Sequence, residues 1–177
     1  MKEIVQRDAP ILRAKAKPVP HAEIGSERIH RIIAEMSAAM HAQKDGVAIA
    51  APQIGEPVQI FIVSGALLSK ADKRYKGGDR DLVFINPRIV KLSQEKREVE
   101  EGCLSVRWLY GTVKRAARAT LEAFNEKGEH ITRGASGLLA QIFQHECDHL
   151  NGILFIDKAA DVWEMSDEEI DELQKKP

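Results

Sequence analysis

No stretch of this chain is long and apolar enough to span a bilayer, and residues 1–8, Met1-Lys2-Glu3-Ile4-Val5-Gln6-Arg7-Asp8, carry charges where a secretory signal needs an apolar run. A cytoplasmic protein with no membrane partner is expected. Nor does either charge dominate: 26 basic and 27 acidic side chains give a formal net charge of -1, so nothing electrostatic favours direct nucleic-acid binding. Cysteine is scarce. Cys103 and Cys147 are the two in the chain, and in a reducing compartment metal ligation or plain burial is favoured over a disulfide. Internal repeats and low-complexity segments are absent as well.

What is present suits a folded chain. Apolar residues make up 44% and charged residues 30%, too rich in core formers for disorder. At 177 residues one core is expected, because a split would leave two marginal halves. The expectation is a single domain over residues 1–177, monomeric, with one site.

After an extended arm punctuated by Pro10, Pro18 and Pro20, the stretch Ser26 to Gln43 spaces Ile29, Ile32, Ile33, Met36 and Met40 as an amphipathic helix. Asp45-Gly46 ends it, and the small residues Val47 to Gly55 read as an irregular loop or short edge strand. Gln59–Val63 and Leu82–Leu92 read as strands joined by a polar, mobile loop, Ser69 to Arg80. Arg97–Glu101 and Thr112–Asn125 are further strands, and Glu126-Lys127-Gly128 turns into Glu129–Arg133. From Gly137 a second helix runs to Asn151-Gly152. Ser166 and Glu169 form a capping-box pattern that opens a short acidic helix within residues 166–177, ended by Pro177. The fold class expected is α+β, with antiparallel sheets packed around the second helix and an N-terminal helix beside them.

The chemistry concentrates in that second helix. His145-Glu146-Cys147-Asp148-His149 is an HExxH sequence, and a spacing of four places both imidazoles on one helical face. Two nitrogens can then reach one metal ion. Glu146 projects about 100° around the helix from His145, so it can accept a proton beside the ion without ligating it. Two histidines on one face are also compatible with hydrogen-bonded surface or core residues, but Leu139, Ile142 and Phe143 bury the preceding turns, where an unsatisfied polar pair is costly. Zinc proteases of the familiar kind take a third ligand downstream. After His149 this chain offers only carboxylates such as Asp157, Asp161 and Glu164. Upstream, Cys103 follows a predicted strand beside Gly102, and a Cys-His-His set leaves a fourth position open for water. Cys147 lies about 200° around the helix from the histidine face and reads as a small buried thiol.

Three segments together resemble the signature motifs of peptide deformylases: Gly46-Val47-Ala48-Ile49-Ala50-Ala51-Pro52-Gln53, Glu101-Gly102-Cys103-Leu104-Ser105, and Gln144-His145-Glu146-Cys147-Asp148-His149-Leu150. Their order and spacing match, and the resemblance runs from Ile4 to about Asp157, including Ile85-Asn86-Pro87. It implies that Cys103, His145 and His149 hold one divalent metal ion. The family favours ferrous iron and works with nickel or zinc, whereas ligand chemistry alone points to zinc. The resemblance further implies Glu146 as the base, with Gln53 and the backbone N–H of Leu104 as an oxyanion hole. The implied reaction removes the formyl group from the N-terminal formylmethionine of nascent proteins. Water at the metal attacks the formyl carbon, Glu146 takes its proton and later returns it to the leaving amine, and formate is released.

Formylmethionyl peptides of nascent chains are the partners this resemblance implies. The family lays the peptide as an added strand along the first motif, here Val47 and Ala48, with Gly102 on the other side. The methionine pocket resembles one formed by Val99, Leu138, Ile142 and His145, although the three aliphatics read equally well as core. Asp148 and Arg115 match a structural acid–base pair of the family, with a solvated surface pair as the plainer reading. Two departures border the substrate strand: Ala48 stands where glycine is usual, and Arg107, followed by Trp108-Leu109-Tyr110, where proline is usual. The tail after Asp157 is short where some members carry a long helix that docks on the ribosome, so ribosome docking is not carried over. Two rivals stay open: a zinc peptidase with a downstream carboxylate ligand, and a deformylase-like protein that binds metal without turnover.

Overall fold

The computed structural model describes residues 2–71 and 75–175. Its organising strand is β2 (Ile60–Val63), four apolar residues that are all buried. Alternation along a strand sends successive side chains to opposite faces. Phe61 and Val63 accordingly join Phe84, Leu121 and Phe143 in one cluster, while Ile60 and Ile62 join Ile29, Ile32 and Met36 in another. Both faces of the sheet are therefore covered by helices, α1 (Glu27–His41) on one side and α3 (Gly137–Leu150) on the other. Ser26 caps α1, its hydroxyl accepting the Ile29 N–H at 3.3 Å. On the α3 side, Phe84 sits between Phe61 and Phe143 at ring centroid distances of 4.7 and 5.2 Å.

The larger sheet has five strands in the order β1 (Ala48–Ala50), β2, β3 (Leu82–Leu92), β6 (Arg118–Phe124) and β7 (His130–Ser136), all neighbours antiparallel. A second sheet of three strands orders β4 (Lys96–Gly102), β5 (Leu109–Ala116) and β8 (Asp161–Glu164). Both β1 and β4 are edge strands, one in each sheet. The expected α+β class, the antiparallel sheets and the two helices are observed.

Several local expectations change. Thr112 to Asn125 is two strands in different sheets rather than one, broken after Ala116. The cause is Gln144 of α3, whose side-chain amide accepts the Ala116 N–H at 2.9 Å and donates to the Ala116 carbonyl at 3.0 Å. The segment Val47 to Gly55 does hold the expected short edge strand, β1, followed by a 3-10 turn, Ala51–Ile54. Helix α2 (Gly65–Ala71) takes up the start of the expected loop. Within that stretch Asp72 to Arg74 lie outside the described residues, and Ser69 Oγ donates to the Gly78 carbonyl at 3.0 Å across its ends. The tail helix is α4 (Asp167–Lys175), with the Ser166 N–H donating to Glu169 at 2.8 Å as the capping box requires; Pro177 lies outside the described residues.

Candidate metal centre

The histidines are one turn apart on α3, with ring centroids 5.0 Å from each other. Cys103 arrives from the end of β4, where Gly102 lets the chain pass under Tyr110: a Cβ there would stand 2.6 Å from the tyrosine ring. The Val106 N–H then donates to the Cys103 carbonyl at 3.0 Å and closes a tight turn. As a result Cys103 Sγ lies 3.1 Å from His149 Nε2, and one ligand atom from each of Cys103, His145 and His149 falls within 4.8 Å of the others. Among the described residues this is the cluster suited to a metal ion.

The surroundings explain its geometry. Glu101, on β4, accepts both Nε and Nη2 of Arg115 at 2.8 Å and faces His145 Nδ1 at 2.9 Å. That contact orients the ring and leaves Nε2 for the cluster. Burial alone would raise the Glu101 pKa, but Arg115 and then His145 hold it at about 2. Arg115 also donates to Asp148 at 2.6 Å, and Lys158 reaches Asp148 at 2.7 Å. The Arg115–Asp148 pair is thus one part of a buried network, of which Glu101, not singled out as a partner from sequence, is the centre.

Glu146 is buried beside the cluster, its Oε2 without a hydrogen-bond partner, and burial raises its pKa to about 7. His149 Nδ1 is likewise buried and unpaired. Gln53 has its amide orientation fixed: its Oε1 accepts the Ala50 N–H at 2.8 Å, so Nε2 is the group turned to the site, 3.1 Å from Ser105 Oγ and 3.6 Å from Cys103 Sγ. Leu104 lies on the same wall, its carbonyl accepting Gln6 Nε2 at 3.1 Å. Cys147 sits against the core, its thiol pushed up to about 12 by burial, with Glu146 and Asp148 adding to the effect. It does not join the cluster.

A cavity of about 250 Å³ opens over these groups, between the edges of the two sheets. Val47, Ala48, Gln53, Gly102, Leu104, Leu138 and Ile142 line it, as do Cys103, His145 and Glu146. Val99 does not. It shares a strand face with Glu101 but lies two residues farther out, opposite Val113, roughly 7 Å away at the rise of a strand. Tyr110 lines the cavity instead, and its contact with Gly102 depends on the β4–β5 pairing, which no local pattern reveals. The downstream carboxylates point elsewhere: Asp157 pairs with Arg13, and Asp161 and Glu164 are exposed on β8.

A thiol and two imidazoles whose donors suit a metal ion converge with an unpaired buried carboxylate under an open cleft. Comparison with known proteins gives the family. Residues 1–164 match the polypeptide deformylase family, and the chain belongs to that family. Peptide deformylase 2 of Clostridium acetobutylicum is 39% identical over 157 residues, covering 89% of this chain and 94% of its own. The crystal structure of the Thermotoga maritima peptide deformylase superposes with a TM-score of 0.78 at 33% identity, covering 91% of this chain and 99% of that one. A Met-Ala-Ser-bound class I type b deformylase from Acinetobacter baumannii gives 0.77 at 33% identity, with 89% and 99% covered. Deformylase activity follows for this chain.

Proposed function

We propose that this enzyme removes the formyl group from N-terminal formylmethionine of nascent chains, with one divalent ion held by Cys103 Sγ and the imidazoles of His145 and His149. The observation that carries this reading is the convergence of those three donors beside the unpaired Oε2 of Glu146. The donors fit a first-row divalent ion: soft sulfur with two nitrogens leaves a coordination position open. When bound, the ion supplies Lewis acidity that makes water a nucleophile near neutral pH. We assign ferrous iron as the native ion, replaceable by nickel or zinc.

The chain's own groups do the remaining work. Glu146 Oε2 takes the proton of the attacking water and returns it to the departing amine, which a group pinned by other hydrogen bonds does less readily. Gln53 Nε2, fixed as a donor by the Ala50 N–H, faces the oxygen on which negative charge develops, and the Leu104 N–H is the second donor. Each such donor is worth about 10²–10³ in kcat. The substrate adds as a strand to the free edge of β1 at Val47 and Ala48, with Gly102 across the cleft, and its methionine side chain enters between Leu138 and Ile142. Strand addition reads backbone, which suits nascent chains of varied sequence. A peptide ligand is seen in the Acinetobacter relative. A thiol ligand and an unpaired second cysteine fit a reducing compartment, so we place the reaction in the cytoplasm.

The test is formate release from formyl-Met-Ala-Ser by metal-loaded wild-type and Glu146→Gln protein of equal metal content. Wild type should release formate and the variant should lose on the order of 10²–10⁴ of the rate while keeping its ion. Turnover by the variant at the wild-type rate would remove Glu146 from the mechanism. No formate from wild type would favour a protein that binds metal without turnover.

A further inference from the structure

Arg107, the residue where the family usually carries proline, joins the chain just past the Cys103–Val106 turn to the segment that leads into β1. Its guanidinium takes the Asp45 carboxylate in a bidentate pair, with Nη2 to Oδ1 at 3.0 Å, and Nη2 also donates to Gln43 Oε1 at 3.0 Å. Its Cζ lies 4.6 Å over the Trp108 ring, and its backbone N–H points to Gln6 Oε1 at 3.4 Å. The pair is substantially buried, the side chains of Arg107 and Asp45 being 18% and 25% exposed.

Position gives the pair its meaning. Arg107 directly follows the turn that carries Cys103 and Leu104, whereas Asp45 lines the cavity two residues before Val47 and leads into β1. Gly46 packs its backbone against the end of α1, where a Cβ would stand 2.2 Å from the Met40 carbonyl oxygen, and its N–H donates to the Gln43 carbonyl at 3.2 Å. Together with Gln53, which links the Ala50 N–H to Ser105 Oγ, the Arg107 side chain therefore ties the Cys103–Leu104 turn to the strand along which the substrate peptide is proposed to lie. Strand addition needs a spacing of about 4.7–4.9 Å, and backbone hydrogen bonds weaken quickly beyond about 3.2 Å.

We infer that Arg107 is a positioning residue: through Asp45 it fixes the distance between β1 and the Cys103–Leu104 turn, and so sets affinity for formylated peptides long enough to run along β1. This rests on the deformylase reading above. Backbone bonds remote from the formyl group are made alike in ground and transition state, so the effect belongs in KM and not in kcat. A purely structural role for Arg107 would lower stability and affect short and long substrates equally.

The experiment compares metal-loaded wild type, Arg107→Met, Arg107→Lys and the exchanged pair Asp45→Arg/Arg107→Asp on formyl-Met amide and on formyl-Met-Ala-Ser, reading formate. For Arg107→Met, KM for the tripeptide should rise about tenfold with kcat within about twofold, while KM for the amide moves less than about twofold. Arg107→Lys, which keeps the charge but not the fork, should fall between wild type and Arg107→Met. The exchanged pair should recover at least half of the lost affinity. Equal KM changes on the two substrates, no change in Arg107→Met, or no recovery in a folded exchanged pair would each overturn the inference. If Arg107→Met does not fold, the lysine variant and the exchanged pair decide it. Absence of formate from wild type on both substrates would overturn the deformylase reading, and the inference with it.

Discussion

Arg115→Met probes the network behind the site. Arg115 and Glu101 are 5% and 2% exposed, and the pair is joined by two bonds of 2.8 Å. Methionine keeps much of the volume and removes the charge. Asp148 retains Lys158 at 2.7 Å, but Glu101 keeps only His145 Nδ1 at 2.9 Å. Removing one partner of a buried ion pair costs about 3–5 kcal/mol, because the other charge stays desolvated and unpaired. In a chain of this length each kcal/mol moves Tm by about 2–4 °C, so a fall of roughly 6–20 °C is expected. Thermal unfolding should be followed on metal-loaded and chelator-treated protein in parallel, since a bound ion adds stability of its own. The double variant Glu101→Met/Arg115→Met replaces the pair by apolar volume and should regain most of the stability. Its metal affinity should stay about 10–100-fold weaker, because His145 Nδ1 has lost its acceptor. A fall below about 2 °C for Arg115→Met in both forms would refute the reasoning.

Three further outcomes are expected. Cys103→Ala should lose metal and activity together, whereas Cys147→Ala should change stability alone; equal metal loss in both, measured by elemental analysis, would mean that the wrong cysteine has been chosen. Ala48 has no positive φ, so its methyl is unstrained and only narrows the cleft; Ala48→Gly should raise kcat/KM on short formyl-Met peptides modestly at unchanged metal content, and a several-fold fall would show the methyl to be a favourable contact. The ferrous enzyme should lose activity in air and the nickel-substituted enzyme should keep it, since iron and its thiolate oxidise at an open site; an air-stable ferrous form would count against iron as the native ion.

The parts of this site that were legible in the sequence are those set by local geometry. The spacing of His145 and His149 on one helix face needs no tertiary knowledge, and the same angular argument turns Cys147 away from the cluster. Ser166 and Glu169 announce their helix by capping chemistry that depends on a few neighbouring residues, and the apolar spacing from Ile29 to Met40 announces α1. What stayed hidden was set at long range. Glu101 becomes the partner of both Arg115 and His145 only when β4 pairs with β5 and α3 docks beside them. The residues on both sides of Ala116 favour strand equally, so the change of sheet there is invisible until Gln144 supplies the bonds. Asp161–Glu164 holds two apolar residues between acids, and it is a strand because β5 offers it an edge. Val99 was named through the family resemblance alone, and how far along β4 the cavity extends depends on the β4–β5 pairing, which has no local signal.

Deformylation itself is tested most directly by mass spectrometry of the products formed from formyl-Met-Ala-Ser by the metal-loaded wild-type protein. The expected product is the tripeptide with a free amino terminus and every peptide bond intact, formed in step with one equivalent of formate. Recovery of the peptide with its formyl group in place, or cleavage between its residues, would contradict the assignment of Cys103, His145, His149 and Glu146 to a deformylase centre.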